Sequence, residues 1–286
     1  MSASALAQSL LNGLVSGGIY ILVALGMTLI LSITRIVQLA HGEVYMVGAY
    51  CVYYLCARAG VNFFVALVIS MLLVGGFGIL LERFFFRPFR EQLLRPLIVC
   101  VGLMLFLQNA ALVITGGTPK SIPSPFPGVS RILGLTVSWE RLIIVLIGLG
   151  FVSATLLLIQ KTKVGQAMVA ISQDREVAAL QGINIDHISA IAMFLGSALA
   201  AVAGGLVGAM FSVSPFMGGF ALMKGIAVIV LGGLGSIPGA VIGGLILGLI
   251  DGVIPPLLTT QLAGLVGFGA IILILLLRPQ GILGHE

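Results

Sequence analysis

Apolar residues in this 286-residue chain come in long unbroken runs rather than in alternating or one-sided patterns. Nine such segments stand out, near residues 10–34, 36–57, 61–81, 96–114, 142–160, 187–212, 221–235, 239–254 and 261–277. Most approach the roughly 20 residues that carry a helix across a ~30 Å hydrocarbon layer at about 1.5 Å per residue. Strands of a membrane barrel would be about half as long and would alternate, so the pattern predicts helices. The pair at 221–254 is the exception. Each member is short for a full crossing and "GGLGSIPG" separates them, so they are either two tilted short spans or half-helices that enter and leave on one side. The expected fold is all-α, a polytopic membrane helical bundle of about eight or nine transmembrane segments, some short or broken, in a single domain over residues 1–286.

Composition strengthens this picture. Hydrophobic residues make up 59% of the chain and charged residues 8%, against roughly 25% charged in an ordinary soluble domain. The mean hydropathy is +1.23. Most of such a surface must face lipid. The 39 glycines are about twice the usual share, and in lipid small residues let helix backbones approach closely, where dispersion replaces the hydrophobic effect as the source of association. The net charge of +5 suggests basic loops on one membrane face rather than a nucleic-acid site. Cys51, Cys56 and Cys100 all fall within apolar segments without metal-like spacing, so they read as small buried hydrophobes.

The basic residues orient the chain. Arg83, Arg87, Arg90 and Arg95 crowd one link, and Lys161, Lys163 and Arg175 lie in the link at 161–186. The positive-inside rule makes both cytoplasmic, which puts the N-terminus outside and Arg278 with the C-terminus inside. The opening "MSASALAQS" lacks Lys and Arg, unlike the start of a cleaved signal peptide, and the apolar run after it is too long for one. The link at 115–140 is then external. With Pro119, Pro123, Pro125 and Pro127 it reads as a structured non-helical loop, and Trp139 as an interfacial anchor.

Three stretches carry the candidate chemistry. "RIVQLAHGEVYMVGAY", residues 35–50, places His41, Gly42 and Glu43 inside an apolar region. A charge at the bilayer centre costs about 2.5–3.5 kcal/mol on insertion scales, so such groups should face protein or a watery cavity. If the second segment starts at residue 36, His41 and Glu43 lie one to two turns into it, near the cytoplasmic interface. Two readings stay open: a Gly42-loosened helix start with Glu43 at its positive end and paired with Arg35, or a polar element of a gate or pathway. "GGLGSIPGAVIGGLILG" spaces Gly239, Gly243 and Gly244, Gly248 and Gly252 to give a helix face without bulk, suited to tight packing or to a backbone-lined path. It lacks the Gly-Lys-Ser/Thr ending of a phosphate loop. Lys224 and Asp251 are placed to pair or to snorkel toward the outer face. Gly42 and Gly48-Ala49 loosely echo Gly235 and Gly239-Ala240, as in transporters built from two related halves. The third stretch, 160–187, is the longest polar one. Gln173-Asp174 can cap a short helix whose early acids Asp174 and Glu176 suit its dipole, and Gly182 can end it in a left-handed turn.

"EVAALQG" at 176–182 resembles the Glu-x-Ala-x-x-x-Gly pattern in the cytoplasmic loop of ABC importer permeases. Together with 35–50, 178–208 and "GIAVIVLGGLGSIPGAVIGGLILGLID" at 225–251, the chain resembles over nearly its whole length the permeases of branched-chain amino-acid ABC importers, specifically the LivH-type subunit. Where that family commonly reads Asn-Phe-Ala-His-Gly, this chain has Gln38-Leu39-Ala40-His41-Gly42. The resemblance implies an inner-membrane permease subunit, not itself an enzyme, for branched-chain or other hydrophobic amino acids. Its partners would be a second, LivM-like permease, two ATPase subunits that use ATP and Mg, and an external solute-binding protein; the chain itself would bind no cofactor or metal. Residues Asp174, Arg175, Glu176, Ala178, Ala179, Gly182 and Ile183 would form the coupling helix that docks on an ATPase, and His41, Gly42, Glu43, Gly235 and Gly239 are candidates for the pathway or gate. The alternatives are the same architecture carrying urea or short amides, and an ion-coupled secondary transporter, for which Glu43 and Asp251 supply little. A membrane enzyme is weaker still, since "HGE" puts His and Glu on different helix faces without a second ligand pair.

Overall fold

The computed structural model describes residues 3–90, 92, 94–123, 128–132, 135–257 and 260–284. Helix α1 (Ala3–Thr34) and α8 (Ile185–Met210) form the centre of the bundle. Over their most apolar windows these two are 78% and 72% buried, whereas α3 (Phe63–Leu81), α4 (Arg95–Thr115) and α5 (Trp139–Lys161) are 39%, 11% and 28% buried and turn most of their apolar surface outward. That division follows from the solvent. A helix apolar all round can sit at the centre or face lipid, and neither position exposes backbone polar groups.

Each predicted segment contains a helix. The others are α2 (His41–Tyr53, extended by a π-helical turn Tyr54–Arg58), α9 (Met217–Gly232), α10 (Ile237–Val253) and α11 (Thr260–Leu277). The expected bundle with short and broken segments is present. Among the described residues five helices, α1, α3, α4, α5 and α8, are long and apolar enough to cross alone, or six spans if α9 and α10 count as one. The pair is bent by 117° at Gly233–Ser236, where Gly233 and Gly235 have positive φ and Ser236 caps α10 by accepting from Gly239 N–H at 3.1 Å. α2 is shortened because residues 35–40 are not helical. Thr34 ends α1 by donating to the Ile30 carbonyl at 2.7 Å and accepting from Ile36 N–H at 3.2 Å, which competes with the helical ladder, and Arg35 then turns left-handed at φ 57°.

The glycine stripe of α10 splits between two partners. Gly244, Gly248 and Gly252 lie against Ile21, Gly17 and Gly13 of α1, whereas Gly239 and Gly243 lie against Gly232 and Val228 of α9. A Cβ on Gly248 would collide with Gly17 Cα, and one on Gly13 would stand 3.0 Å from the Gly248 carbonyl. Backbone therefore packs directly on backbone. Across the same joint Lys224 Nζ pairs with Asp251 Oδ2 at 2.6 Å, which also accepts from Tyr20 Oη at 2.7 Å. The expected pairing of these charges is present and ties α9 to α10 and α1.

The links sort to two ends. At one end, Arg87 and Arg90 meet Asp186, joining the link after α3 to the start of α8, and Ile282 and Leu283 donate to the last turn of α9. At the other, the chain after α4 is bridged to that after α8 by paired Lys120–Val213 backbone hydrogen bonds of 2.8 and 2.7 Å, next to a hairpin of β1 (Val129–Ile132) and β2 (Leu135–Ser138). The expectation of a structured non-helical link at 115–140 takes the form of this hairpin; Pro125 and Pro127 lie outside the described residues. Trp139, half exposed, opens α5 beside it.

Gly248→Val is expected to cost roughly 2 kcal/mol or more through overpacking and to reduce accumulation in the membrane. Gly102→Val, where a side chain meets nothing within 4 Å, is the control and should leave accumulation unchanged. Quantitative immunoblotting of membranes and thermal unfolding in detergent measure both.

Candidate functional site: a broken helix above a capped lever

After Arg35 the chain turns back into the bundle and α2 begins only at His41. The His41 imidazole rests against α1 at Gly26, where a Cβ would stand 3.0 Å from Nε2. Gly26 lies nine residues before Arg35, about 13 Å of helix rise. His41 and Glu43 therefore stand well inside the bundle, not at its basic edge, because the six non-helical residues 35–40 lift the helix start inward. Both side chains are fully buried; the His41 imidazole lies by the Val23 backbone, and Glu43 Oε2 meets no hydrogen-bond partner among the described residues. The expected Glu43–Arg35 ion pair does not form among the described residues. Instead Glu43 occupies the first turn of α2 and its Oε2 reaches the first turn of α9, at the space left by Gly218. Gly42 and Gly218 touch backbone to backbone there, so a side chain on either would collide. Two positive helix ends thus converge on one carboxylate.

Of the other path candidates, Gly235 lines a basin of about 780 Å³ at the basic end, between Ser32, Arg35 and Val37 on one side and Leu234 and Ser236 on the other. Of the residues that echo each other in sequence, Gly235 borders this basin, whereas Gly42 packs on Gly218 and Gly48 on Ala201. Gly239 does not reach it; it packs on Gly232.

The polar stretch 160–187 holds two helices, not one. Thr162 caps α6 (Lys163–Gln173) by accepting from Gly165 N–H at 3.0 Å, an amphipathic helix absent from the sequence expectation. Asp174 then caps α7 (Arg175–Leu180), accepting from the Glu176 and Val177 N–H groups at 2.9 and 3.0 Å. At its end Gly182 stands at φ 81°, Ile183 N–H reaches the Ala178 carbonyl and Gly182 N–H that of Ala179. These two bonds are the closure that a glycine just past a helix end permits. Ala178 faces inward in a cluster with Ile33 of α1, Met168 and Ile171 of α6, and Ile188 and Ala192 of α8. Ala179, Val177 and Leu180 face out, Leu180 86% exposed. Arg175 is half buried, and Glu176 is exposed.

Sequence reasoning missed an ion cluster beside this capped segment. Arg90, with its side chain 4% exposed, meets the buried Glu82 and, at 3.0 Å, Asp186; Arg87 reaches the same aspartate from the surface. Burial, with Arg175 nearby, pulls the Arg90 guanidinium below its ordinary range, and Asp186 counters it. The charges read only as orienting signals because Pro88 and an irregular turn separate Glu82 from Arg90, a pairing that helical spacing does not reveal. Gly218 was missed for a similar reason: its partner Gly42 is 176 residues away. Glu82→Gln should lower the unfolding temperature, since the buried Arg90 then keeps only Asp186 as a charged partner, whereas Arg87→Gln at the surface should change stability by under about 1 kcal/mol. Differential scanning of the purified chain in detergent separates the two.

Comparison with known proteins agrees with the architecture. Residues 9–276 match the family model described as "Branched-chain amino acid transport system / permease component". The chain is 37% identical to the high-affinity branched-chain amino acid transport system permease protein BraD of Pseudomonas aeruginosa and 35% identical to its LivH counterpart of Escherichia coli K12, in each case over 97% of this chain and 95% of the relative. Among solved structures, PsaBC from Streptococcus pneumoniae in complex with Fab has a similar fold, with a TM-score of 0.51 at 12% identity over 94% of this chain and 91% of that one. A helical membrane bundle with a broken second helix and a capped polar segment, matched over nearly its full length, belongs to the branched-chain amino acid transport permease family.

Proposed function

We propose that the chain passes branched-chain or other hydrophobic amino acids inward, as one of two permease subunits driven by a pair of ATPases that consume ATP and Mg, and fed by an external binding protein. The basic end is cytoplasmic and the N-terminus external, which the seven basic residues of links 82–95 and 161–186 support. The observation that carries this reading is the lever at 174–183. It is stopped at both ends, by the Asp174 side chain and by the left-handed Gly182, so it is rigid despite its six helical residues. Its outer face offers Val177 and Leu180 to a partner, and its inner face joins α1 and α8 through Ala178. A push on the outer face therefore reaches the two central helices. α2 starts beside α1 at the level of Gly26, so the same push reaches the Gly42–Gly218 contact and the Glu43 carboxylate, which we assign to the gate with His41. Lys224 and Asp251 neutralise each other, which leaves an ion-coupled carrier little to work with.

Gly182→Val forces a β-branched residue into a left-handed turn at about 1–2 kcal/mol. It should weaken copurification of the ATPases or uncouple hydrolysis from uptake in proteoliposomes, while the membrane part stays folded. Wild-type values for copurification, hydrolysis and uptake together would mean that the segment is a plain connector. Glu43→Gln keeps the shape but removes the charge, and should lower leucine uptake by about tenfold, the scale of one hydrogen bond to a charged group, without lowering accumulation. A loss confined to accumulation would make Glu43 structural. For orientation, single cysteines at the exposed positions Gln92 and Lys163, in a chain lacking Cys51, Cys56 and Cys100, should react with a membrane-impermeant reagent only after the membrane is opened.

A further inference from the structure

The basin at the basic end continues inward. Leu31, Val37 and Leu234 line both it and a narrower throat of about 40 Å³ between α1 and α9, whose walls are otherwise aliphatic. At the throat Gln38 is 2% exposed, and neither its amide nitrogen nor its amide oxygen has a hydrogen-bond partner among the described residues. A buried carboxamide with both groups unsatisfied, beside a cavity, is costly unless something polar visits it. At the mouth, Arg35 is the one charged residue among those lining the basin, and no ion pair engages it among the described residues. Arg35 is also the one non-glycine with positive φ among the described residues; seven glycines hold the other such positions. In a chain so rich in glycine, an arginine kept in a conformation that glycine adopts freely points to a need for its side chain.

We propose that this groove is the exit vestibule of the permease, binding an apolar zwitterionic amino acid with its carboxylate on Arg35, its aliphatic side chain against Leu31, Val37 and Leu234, and Gln38 receiving its polar groups as it leaves the throat. The assignment rests on the importer reading above. In the present conformation the throat has room for water but not for an amino acid, so it is shut. The moving wall adjoins the lever: Ser172 and Gln173, which end α6 and line the basin, immediately precede the Asp174 cap of α7. Displacing α7 thus shifts the wall of the basin directly.

The test uses the complete importer in proteoliposomes with leucine as the probe. Arg35→Gly relieves the strained backbone, so the unfolding temperature should stay level or rise, yet leucine uptake should fall about tenfold, with Arg35→Lys in between. Gln38→Leu, which removes the unsatisfied amide, should likewise keep or raise stability and lower uptake. In a background lacking Cys51, Cys56 and Cys100, leucine should slow labelling of Val37→Cys by a water-soluble thiol reagent. Normal uptake by Arg35→Gly, a parallel loss of its stability and uptake, or labelling indifferent to leucine would each overturn the vestibule while leaving the importer reading intact. Failure of the wild-type complex to take up any apolar amino acid would instead remove the importer reading, and the vestibule with it.

Discussion

The architecture depends on helices that meet at their backbones. In lipid there is no hydrophobic gain from pressing one apolar helix on another, so association needs contact area and short distances, and glycine supplies both. The joint between α1 and α10 is built this way at Gly13, Gly17, Gly244, Gly248 and Gly252, and the same device recurs where Gly26 meets Gly196 and Gly42 meets Gly218. Because a Cβ at most of these positions would strike backbone, which cannot yield as a flexible side-chain tip can, the joints set helix positions sharply. The bent α9–α10 pair can then sit against α1 without further scaffolding, held by Lys224, Asp251 and Tyr20 across the joint.

Close packing also makes the break before α2 useful. A helix interrupted at residues 35–40 presents its first turn, with His41 and Glu43, inside the bundle instead of at the edge. Polar groups there are expensive in lipid, and here protein surrounds them on every side. The sharp contact of Gly42 on Gly218 leaves no slack between α2 and α9 beside Glu43. The capped segment of α6 and α7 is coupled to those two helices by the Ile33, Ala178 and Ile188 cluster, and the Arg90–Asp186–Glu82 group anchors the neighbouring link. Rigid levers and bistable close-packed joints are the usual means by which a displacement at one end of a protein is converted into a change of state at another.

Much of this was legible in the chain itself. Run length and composition determined a helical membrane bundle, since both follow from the thickness and polarity of the bilayer and not from any particular contact. The Asp174 cap and the Gly182 stop were readable because capping is local: the residues that satisfy a helix end lie within four positions of it. The stripe of α10 was readable as a packing face for the same reason. Tertiary structure alone decided where those local features go. Whether Gly239 lines a path or packs on Gly232, whether Glu43 pairs with Arg35 or turns to Gly218, and how many segments cross alone depend on neighbours up to hundreds of residues away. Arg35 shows the limit most clearly: its charge was visible in the sequence, but its left-handed backbone and its place at the mouth of a basin follow from how α1 ends and what α9 brings beside it, which no local pattern encodes.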